Sequence, residues 1–248
     1  MNRILFEPHE IDPEGRVVLS GLRAGHIRNI LKAEPGKILK TGTLNGRSGT
    51  STVLEVADDF IALQSCHAEE SPRPWFDLIL ASPRPLVLKR LWPQLAAFGA
   101  RRIILVRASK VEKFYFSSQW VEADSVRPLL IEGAVQAGLT HIPEFEIRMQ
   151  FRDFMEQELE LLFPASERLL AHPGPATRLS ERLAEGRHPL IAIGPEGGWT
   201  EPELEIFAEH GFSRFALGER ILRSDTACIA LIAVLDYHRN VEEKCANA

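Results

Sequence analysis

Two glycine-bearing segments toward the carboxyl end of the chain carry the residue types from which a ligand site can be built. The first reads Leu190-Ile191-Ala192-Ile193-Gly194-Pro195-Glu196-Gly197-Gly198-Trp199-Thr200-Glu201-Pro202-Glu203. Its apolar opening has the character of a strand. Thr200 and Glu203 then have the spacing of a capping box, with Pro202 in the first helical turn. Glycine allows close approach of backbone to ligand, and ligands of open α/β sheets sit beyond the carboxyl ends of strands. A tight strand–helix connection without a ligand explains the same residues. The spacing is not G-x-G-x-x-G and follows the fifth strand candidate of its region, which counts against an ordinary dinucleotide fold.

The second segment reads Leu217-Gly218-Glu219-Arg220-Ile221-Leu222-Arg223-Ser224-Asp225-Thr226-Ala227. Ser224 suits the cap of a final helix, and Asp225 suits its first turn, where the helix dipole favours a carboxylate. That is a complete structural account of Asp225. Arg220 and Arg223 fit a phosphate or a developing negative charge, and a plain surface role serves them equally well. His172, in Ala171-His172-Pro173-Gly174, reads as a turn residue or as a pocket wall.

The elements that must position these loops follow from periodicity. Up to about residue 70, Val17 to Leu19, Lys37 to Thr41, Thr50 to Val56 and Phe60 to Gln64 read as strands. Asn45-Gly46 supplies a turn, and His26 to Lys32 has Ile27, Ile30 and Leu31 at helical spacing. A small, mostly antiparallel barrel is expected. Ser71-Pro72-Arg73-Pro74 reads as a linker. Beyond it, strands at Phe76–Ala81, Arg102–Val106, Phe145–Arg148, Arg168–Ala171, Leu190–Ile193 and Arg214–Leu217 alternate with helices. The helices are expected at Leu86–Phe98, at Gln119 to about Leu139, and at Thr226–His238, with Pro93 and Pro128 as kinks or interruptions. Such alternation predicts an α/β domain with a mostly parallel sheet covered on both faces.

Composition narrows the class. The chain has 248 residues, of which 45% are hydrophobic and 25% charged, which excludes wholesale disorder. Three cysteines (Cys66, Cys228, Cys245) without a CxxC pair make neither a disulfide framework nor a zinc site, and suit a reduced cytosolic compartment. The longest apolar run, Ala227 to Leu235, falls far short of the ~18 residues of a membrane span, and the amino terminus lacks a signal-peptide pattern. A soluble, cytoplasmic protein without a metal is expected. The net charge is −5, yet Arg16 to Arg47 holds seven basic residues against Glu34 alone, and Arg84 to Lys113 holds eight against Glu112 alone. Segregated positive stretches suit a polyanion held on one face; solvated surface explains them as well.

The words Ile193-Gly194-Pro195-Glu196-Gly197-Gly198 and Leu217-Gly218-x-Arg220-Ile221-Leu222-Arg223-Ser224-Asp225-Thr226-Ala227 resemble those of the SPOUT methyltransferases, and within them the 16S rRNA (uracil-N3)-methyltransferase (RsmE) family. His26-Ile27-Arg28-Asn29-Ile30-Leu31-Lys32, followed by Pro35-Gly36, is also family-like. The resemblance implies a PUA-like, RNA-binding β-barrel over residues 1–70 and a trefoil-knotted SPOUT methyltransferase domain over 75–240. It implies a homodimer acting on 16S rRNA of the small ribosomal subunit. S-adenosyl-L-methionine would be held by His172, Ile193, Gly194, Glu196, Gly197, Gly198, Leu217, Gly218, Ile221, Leu222, Arg223 and Thr226, and RNA by Arg23, His26, Arg28 and Lys32. The chain departs from the family where Gln94-Leu95-Ala96-Ala97-Phe98-Gly99 replaces a Lys-x-x-Glu-Leu-Gly word. It departs again where Val135-Gln136-Ala137-Gly138-Leu139 replaces Glu-Gln-Ser-Gly-Arg.

Methyl transfer to uracil N3 requires loss of the N3 proton, which puts negative charge on the flanking carbonyl oxygens. Arg223 is the expected stabiliser of that charge, and Glu196 the group that orients the base or takes the proton. Trp199 either stacks on a flipped base or packs into the core. Other readings are an RNA methyltransferase with a different rRNA or tRNA target, a non-catalytic ribosome-assembly factor, and a small-molecule α/β enzyme.

Overall fold

Alternating burial makes the amino-terminal strands of the computed structural model, which describes residues 3–173, 188–218 and 220–246. The chain divides into two compact units, Met1–Arg73 with Ile131–Ile142, and Pro74–Leu130 with Pro143–Ala248.

In the first unit β1 (Ile4–Phe6), β2 (Arg16–Ser20), β3 (Ile38–Thr43), β4 (Ser48–Val56) and β5 (Phe60–Glu69) form one sheet in the order β1-β3-β4-β5-β2. Its pairs are antiparallel except β1 with β3. No ladder joins β1 to β2 among the described residues, so the expected barrel has no pairing that closes it. Inward positions of the strands bury Phe6, Val17, Leu19, Leu39, Val53, Ile61 and Leu63, with Ala24 and Ile27 from helix α1 (Gly21–Asn29). The helix begins five residues earlier and ends three residues earlier than the apolar spacing of His26 to Lys32 suggests. Lys32 turns to φ 49, and Ile30 is left 68% exposed. Asn45 adopts φ 57 between β3 and β4, as a tight turn requires. Ala134 packs with Leu5 and Leu44, and the Arg3 guanidinium donates to the carbonyls of Gly138 (3.1 Å) and Thr41 (2.7 Å).

In the second unit β6 (Phe76–Ala81), β7 (Ala100–Val106), β8 (Glu144–Arg148), β9 (Glu167–Ala171), β10 (Pro189–Ile193) and β11 (Ser213–Phe215) form a sheet in the order β11-β9-β10-β6-β7-β8. All of its pairs are parallel. β6 and β10 are buried along their whole length, the pattern of central strands covered on both faces. One face packs Ile79, Ile104, Val106, Leu170, Leu190 and Ala192 against Phe151, Phe154, Met155, Leu159, Trp199, Leu204 and Phe207. These come from α4 (Phe151–Asp153), a π-turn (Phe154–Glu158), α5 (Leu159–Leu162), the loop after β10, and α6 (Glu201–Glu209). The helix that follows β6, Pro85–Ala97 (here α2), packs on β7, and the final helix α7 (Ser224–Ala246) packs on β10.

The long helix expected from Gln119 to about Leu139 forms as α3 (Ala123–Ala137) after one 3₁₀ turn, Gln119–Val121, and a further 3₁₀ turn, Lys113–Ser117, precedes the expected span. Pro93 and Pro128 lie inside α2 and α3. The glycines kept in both departing words have a conformational reason. Gly99 (φ 79) and Gly138 (φ 75) follow the last residues of α2 and α3, where a left-handed residue ends a helix without a Cβ penalty. Asp77 is the one charged residue buried within the six strands described above. Arg101 donates to both of its oxygens (2.9 and 2.5 Å), and His188 Nε2 lies 3.1 Å away.

Candidate cofactor cavity

The carboxyl ends of three neighbouring strands, β11, β9 and β10, open onto one cavity of about 380 Å³, within the size range of small-molecule sites. β9 delivers Ala171, His172 and Pro173; β10 delivers Ile193 and the loop Gly194–Trp199; β11 delivers Phe215 and the loop residues Ala216, Leu217 and Gly218. Register explains the convergence. Ala171 pairs with both Ile193 and Phe215, so the three strands end level and their loops leave the sheet together. β11 stops two residues short of Leu217, which frees Leu217 and Gly218 to line the cavity. Arg220, Ile221, Leu222 and, from α7, Ser224, Ala227 and Leu231 complete the wall.

Local chemistry shapes the loop after β10. The Gly198 N–H donates to the Pro195 carbonyl (2.8 Å), and Gly198 has φ 67 with open space where a Cβ would stand. Thr200 caps α6, and the Glu203 carboxylate accepts from the Thr200 N–H (2.7 Å) and Oγ1 (2.8 Å). Trp199 is buried against Phe151 and Phe207, so it is a core residue and not a stacking platform. Its Nε1 is buried without a hydrogen-bond partner, an N–H left over in the wall of the cavity. Gly194 is glycine because a Cβ there would stand 3.0 Å from that nitrogen.

Ten of the residues expected to hold a cofactor line the cavity: His172, Ile193, Gly194, Glu196, Gly197, Gly198, Leu217, Gly218, Ile221 and Leu222. Arg223 and Thr226 lie outside the lining. The Arg223 side chain is 75% exposed, with Nε 3.8 Å from Asp225 Oδ1. Ser224 opens α7 as its first residue and is buried. Sequence reading left out Phe215, which the strand register brings to the wall, and did not single out Pro195, which sits between the lining residues Gly194 and Glu196. Glu196 is exposed, with Oε1 3.5 Å from the Arg84 backbone N–H. Burial holds the His172 imidazole below its usual pKa; Arg214 pushes the same way, and Glu201 opposes them. Gly174 and Glu219 of the two quoted words lie outside the described residues.

The basic residues expected to bind RNA sit on and after α1 in the first unit. Two of them are used by the fold. Arg23 donates to the Glu10 carboxylate (2.6 Å) and the Leu5 carbonyl (2.6 Å), and Arg28 donates to the carbonyls of Ala57 (2.7 Å) and Asp58 (2.5 Å). His26 and Lys32 are exposed. Among the described residues no group of His, Cys, Asp and Glu is placed to hold a metal ion. No helix there is long and apolar enough to cross a membrane.

Comparison with known proteins agrees with this layout. Residues 69–236 match the family described as RNA methyltransferase domain. The chain is 30% identical over 241 residues to the ribosomal RNA small subunit methyltransferase E of Treponema pallidum, covering 95% of this chain and 90% of that one. It is 43% identical over 243 residues to the protein of the same name from Synechocystis, covering 94% and 77%. The fold is that of the ribosomal RNA small subunit methyltransferase E from Neisseria gonorrhoeae, whose crystal structure has S-adenosyl methionine bound. The two superpose with a TM-score of 0.77 at 22% identity, over 96% of this chain and 97% of that one. With its glycine-marked loops converging on one cavity, this chain belongs to the ribosomal RNA small subunit methyltransferase E family.

Proposed function

We propose that the protein methylates N3 of a uridine in 16S rRNA of the small ribosomal subunit, with S-adenosyl-L-methionine as the methyl donor. The observation that carries this reading is the cavity at the level ends of β9, β10 and β11, lined by both glycine-marked words. Family membership and the fold shared with a cofactor-bound relative support it. The residues present suit the cofactor: apolar Ile193, Leu217, Ile221 and Leu222 suit an adenosyl group, and the unpartnered Trp199 N–H offers a donor in the wall. The bound cofactor supplies an activated methyl group on a sulfonium.

The chain's own residues then bind and align. Loop residues 194–198, 217, 218 and 220–222 hold the donor in place, and alignment is the larger part of the barrier for a reagent already activated. Glu196, exposed at the rim, orients the uracil by accepting a hydrogen bond from N3–H and takes that proton as the methyl is transferred. Arg223, exposed at the start of α7, faces the substrate and stabilises charge on the uracil carbonyls as the proton leaves. Arg220, in the wall itself, serves the cofactor. The same reading includes a trefoil knot around these loops and a PUA-like RNA-binding role for the first unit over residues 1–70, with the methyltransferase domain over 75–240. It also includes a cytoplasmic homodimer. Leu217, Ile221 and Leu222 line the cavity yet are exposed in the single chain, and this apolar surface supports a partner subunit that closes over the cavity's rim. Arg23, His26, Arg28 and Lys32 are the groups to meet phosphates, with His26 and Lys32 exposed and Arg23 and Arg28 also bonded within the fold.

The test is an assay of purified protein with labelled cofactor and small subunits from a strain lacking this methylation, read by nucleoside mass spectrometry. Label on N3 of uridine is expected. Label on a base carbon, a ribose 2′-oxygen or guanine would reassign the target and leave methyl transfer standing. Cofactor binding without label on any RNA would point to a changed substrate, and failure to bind the cofactor would favour a non-catalytic assembly factor.

A further inference from the structure

The loop that lines the cavity is gripped from outside it by a side chain that neither glycine-marked word contains. After β7 the chain runs Arg107-Ala108-Ser109-Lys110. The Lys110 ammonium donates to the Gly197 carbonyl at 2.7 Å. Its stem lies across Gly197 so closely that a Cβ there would stand 2.9 Å from Cδ and 3.4 Å from Lys110 Cβ. One residue earlier, the Ser109 N–H donates to Glu203 Oε1 at 2.7 Å, while Glu203 Oε2 holds Thr200. Glu203 is 4% exposed, so its bonds to Ser109 and Thr200 are shielded from solvent. Ser109–Lys110 therefore ties down both ends of Gly197–Thr200, the stretch that contains the left-handed Gly198 and the buried Trp199. A Cβ at Gly197 would press on this exposed lysine stem and shift it from its place over the loop.

We infer that Lys110 is a positioning residue: it holds Gly197 and Gly198 in the shape that receives the cofactor, and does so without touching the RNA. The inference rests on the functional reading above for the identity of the ligand, and on the clamp geometry alone for the ordering of the loop. A charge-assisted hydrogen bond at an exposed site is modest but directional, so its loss shows in cofactor affinity before it shows in folding.

The experiment compares the wild-type protein with Lys110→Met, which keeps the stem and removes the charge, Lys110→Arg, and Gly197→Ala. Calorimetry with S-adenosylmethionine is expected to show Kd raised about tenfold in Lys110→Met, the size of one charged hydrogen bond. Its KM for the cofactor should rise in parallel, with kcat at saturating cofactor within about twofold of wild type. Lys110→Arg should restore most of the affinity. Gly197→Ala should match Lys110→Met, and the double variant should be no worse than either, because both break the same contact. Hydrogen exchange in the ligand-free protein supplies the arm that does not depend on the cofactor. The Gly198 and Trp199 amides should exchange faster in Lys110→Met. Unchanged exchange and unchanged Kd would overturn the inference, as would a fall in RNA affinity and salt slope with cofactor affinity intact, which would make Lys110 a phosphate contact. A wild-type protein that binds no S-adenosylmethionine would overturn the functional reading instead, and the exchange arm would still decide the role of Lys110.

Discussion

Two arginines three residues apart are separated by where the chain puts them. Arg220 is in the cavity wall and Arg223 is outside it, its side chain turned to Asp225 at the start of α7. Arg220→Ala is therefore expected to raise the KM for the cofactor with kcat little changed, the signature of lost uniform binding. Arg223→Ala is expected to lower kcat by about 10²–10³-fold, as the loss of an oxyanion donor does. Steady-state kinetics with both substrates varied separates the two. A different residue-scale outcome concerns Asp77. Burial alone would raise its pKa, but the contacts from His188 and Arg101 prevail, and the carboxyl titrates below its ordinary 3.8. The folded state thus binds fewer protons than the unfolded one between the two values. The stabilisation is present above about pH 4 and lost as pH falls through the folded value. Asp77→Asn should cost about 2–3 kcal/mol at pH 7, less than a fully buried pair because Arg101 is half exposed. Denaturant titrations should show that difference shrinking below pH 4.

At the scale of elements, the level ending of β9, β10 and β11 does more for the site than any single side chain. Three parallel strands paired in register release three loops at one height, and the cavity is the space between them. The loop after β10 then carries a left-handed residue in the open, Gly198, much as Gly138 does after α3. Gly198→Ala and Gly138→Ala should each cost about 1–2 kcal/mol, the penalty of a Cβ in that conformation, read as a fall in Tm. Only Gly198→Ala should also weaken S-adenosylmethionine binding. Equal cofactor affinity in the two variants would remove Gly198 from the ligand's seat.

For the whole molecule, a chain of net charge −5 that acts on RNA must concentrate its positive groups. Part of the basic stretch around α1 is spent on the fold. Arg28 closes onto the carbonyls of Ala57 and Asp58, and Arg23 onto Glu10 and Leu5. Reversing Arg28 should therefore lower stability as well as any RNA affinity. Lys32→Glu should leave Tm nearly unchanged and flatten the salt dependence of RNA binding by roughly 0.7–0.9 of a log–log unit. Binding isotherms at several salt concentrations, set beside melting curves, distinguish the two.

Much of this was legible from local pattern. The six strands of the parallel sheet were readable because central strands are continuous apolar runs between turn residues, and their cores fall where the runs do, at Phe76–Ala81 and Leu190–Ile193. The cofactor loops were readable because glycine, Thr200 and Glu203 mark backbone geometry that few other residues supply. What chain order conceals is anything set by register or by distant contact. The three-residue β1 carries too short an alternation to stand out, and its parallel pairing with β3 becomes visible only in the sheet. The stretch from Gln119 to Val121 is a 3₁₀ turn ahead of α3, a change of helix type that apolar spacing does not announce. That Arg23 and Arg28 also bond within the fold was hidden, because sequence shows a charge and not the carbonyls that meet it. The glycine at 197 announced a close approach, and only the tertiary structure names Lys110, 87 residues away in sequence, as the group that approaches. Sequence determines which backbone shapes and which buried faces are affordable locally; the pairing of strands decides which side chains meet, because that pairing joins residues whose separation along the chain leaves no local trace.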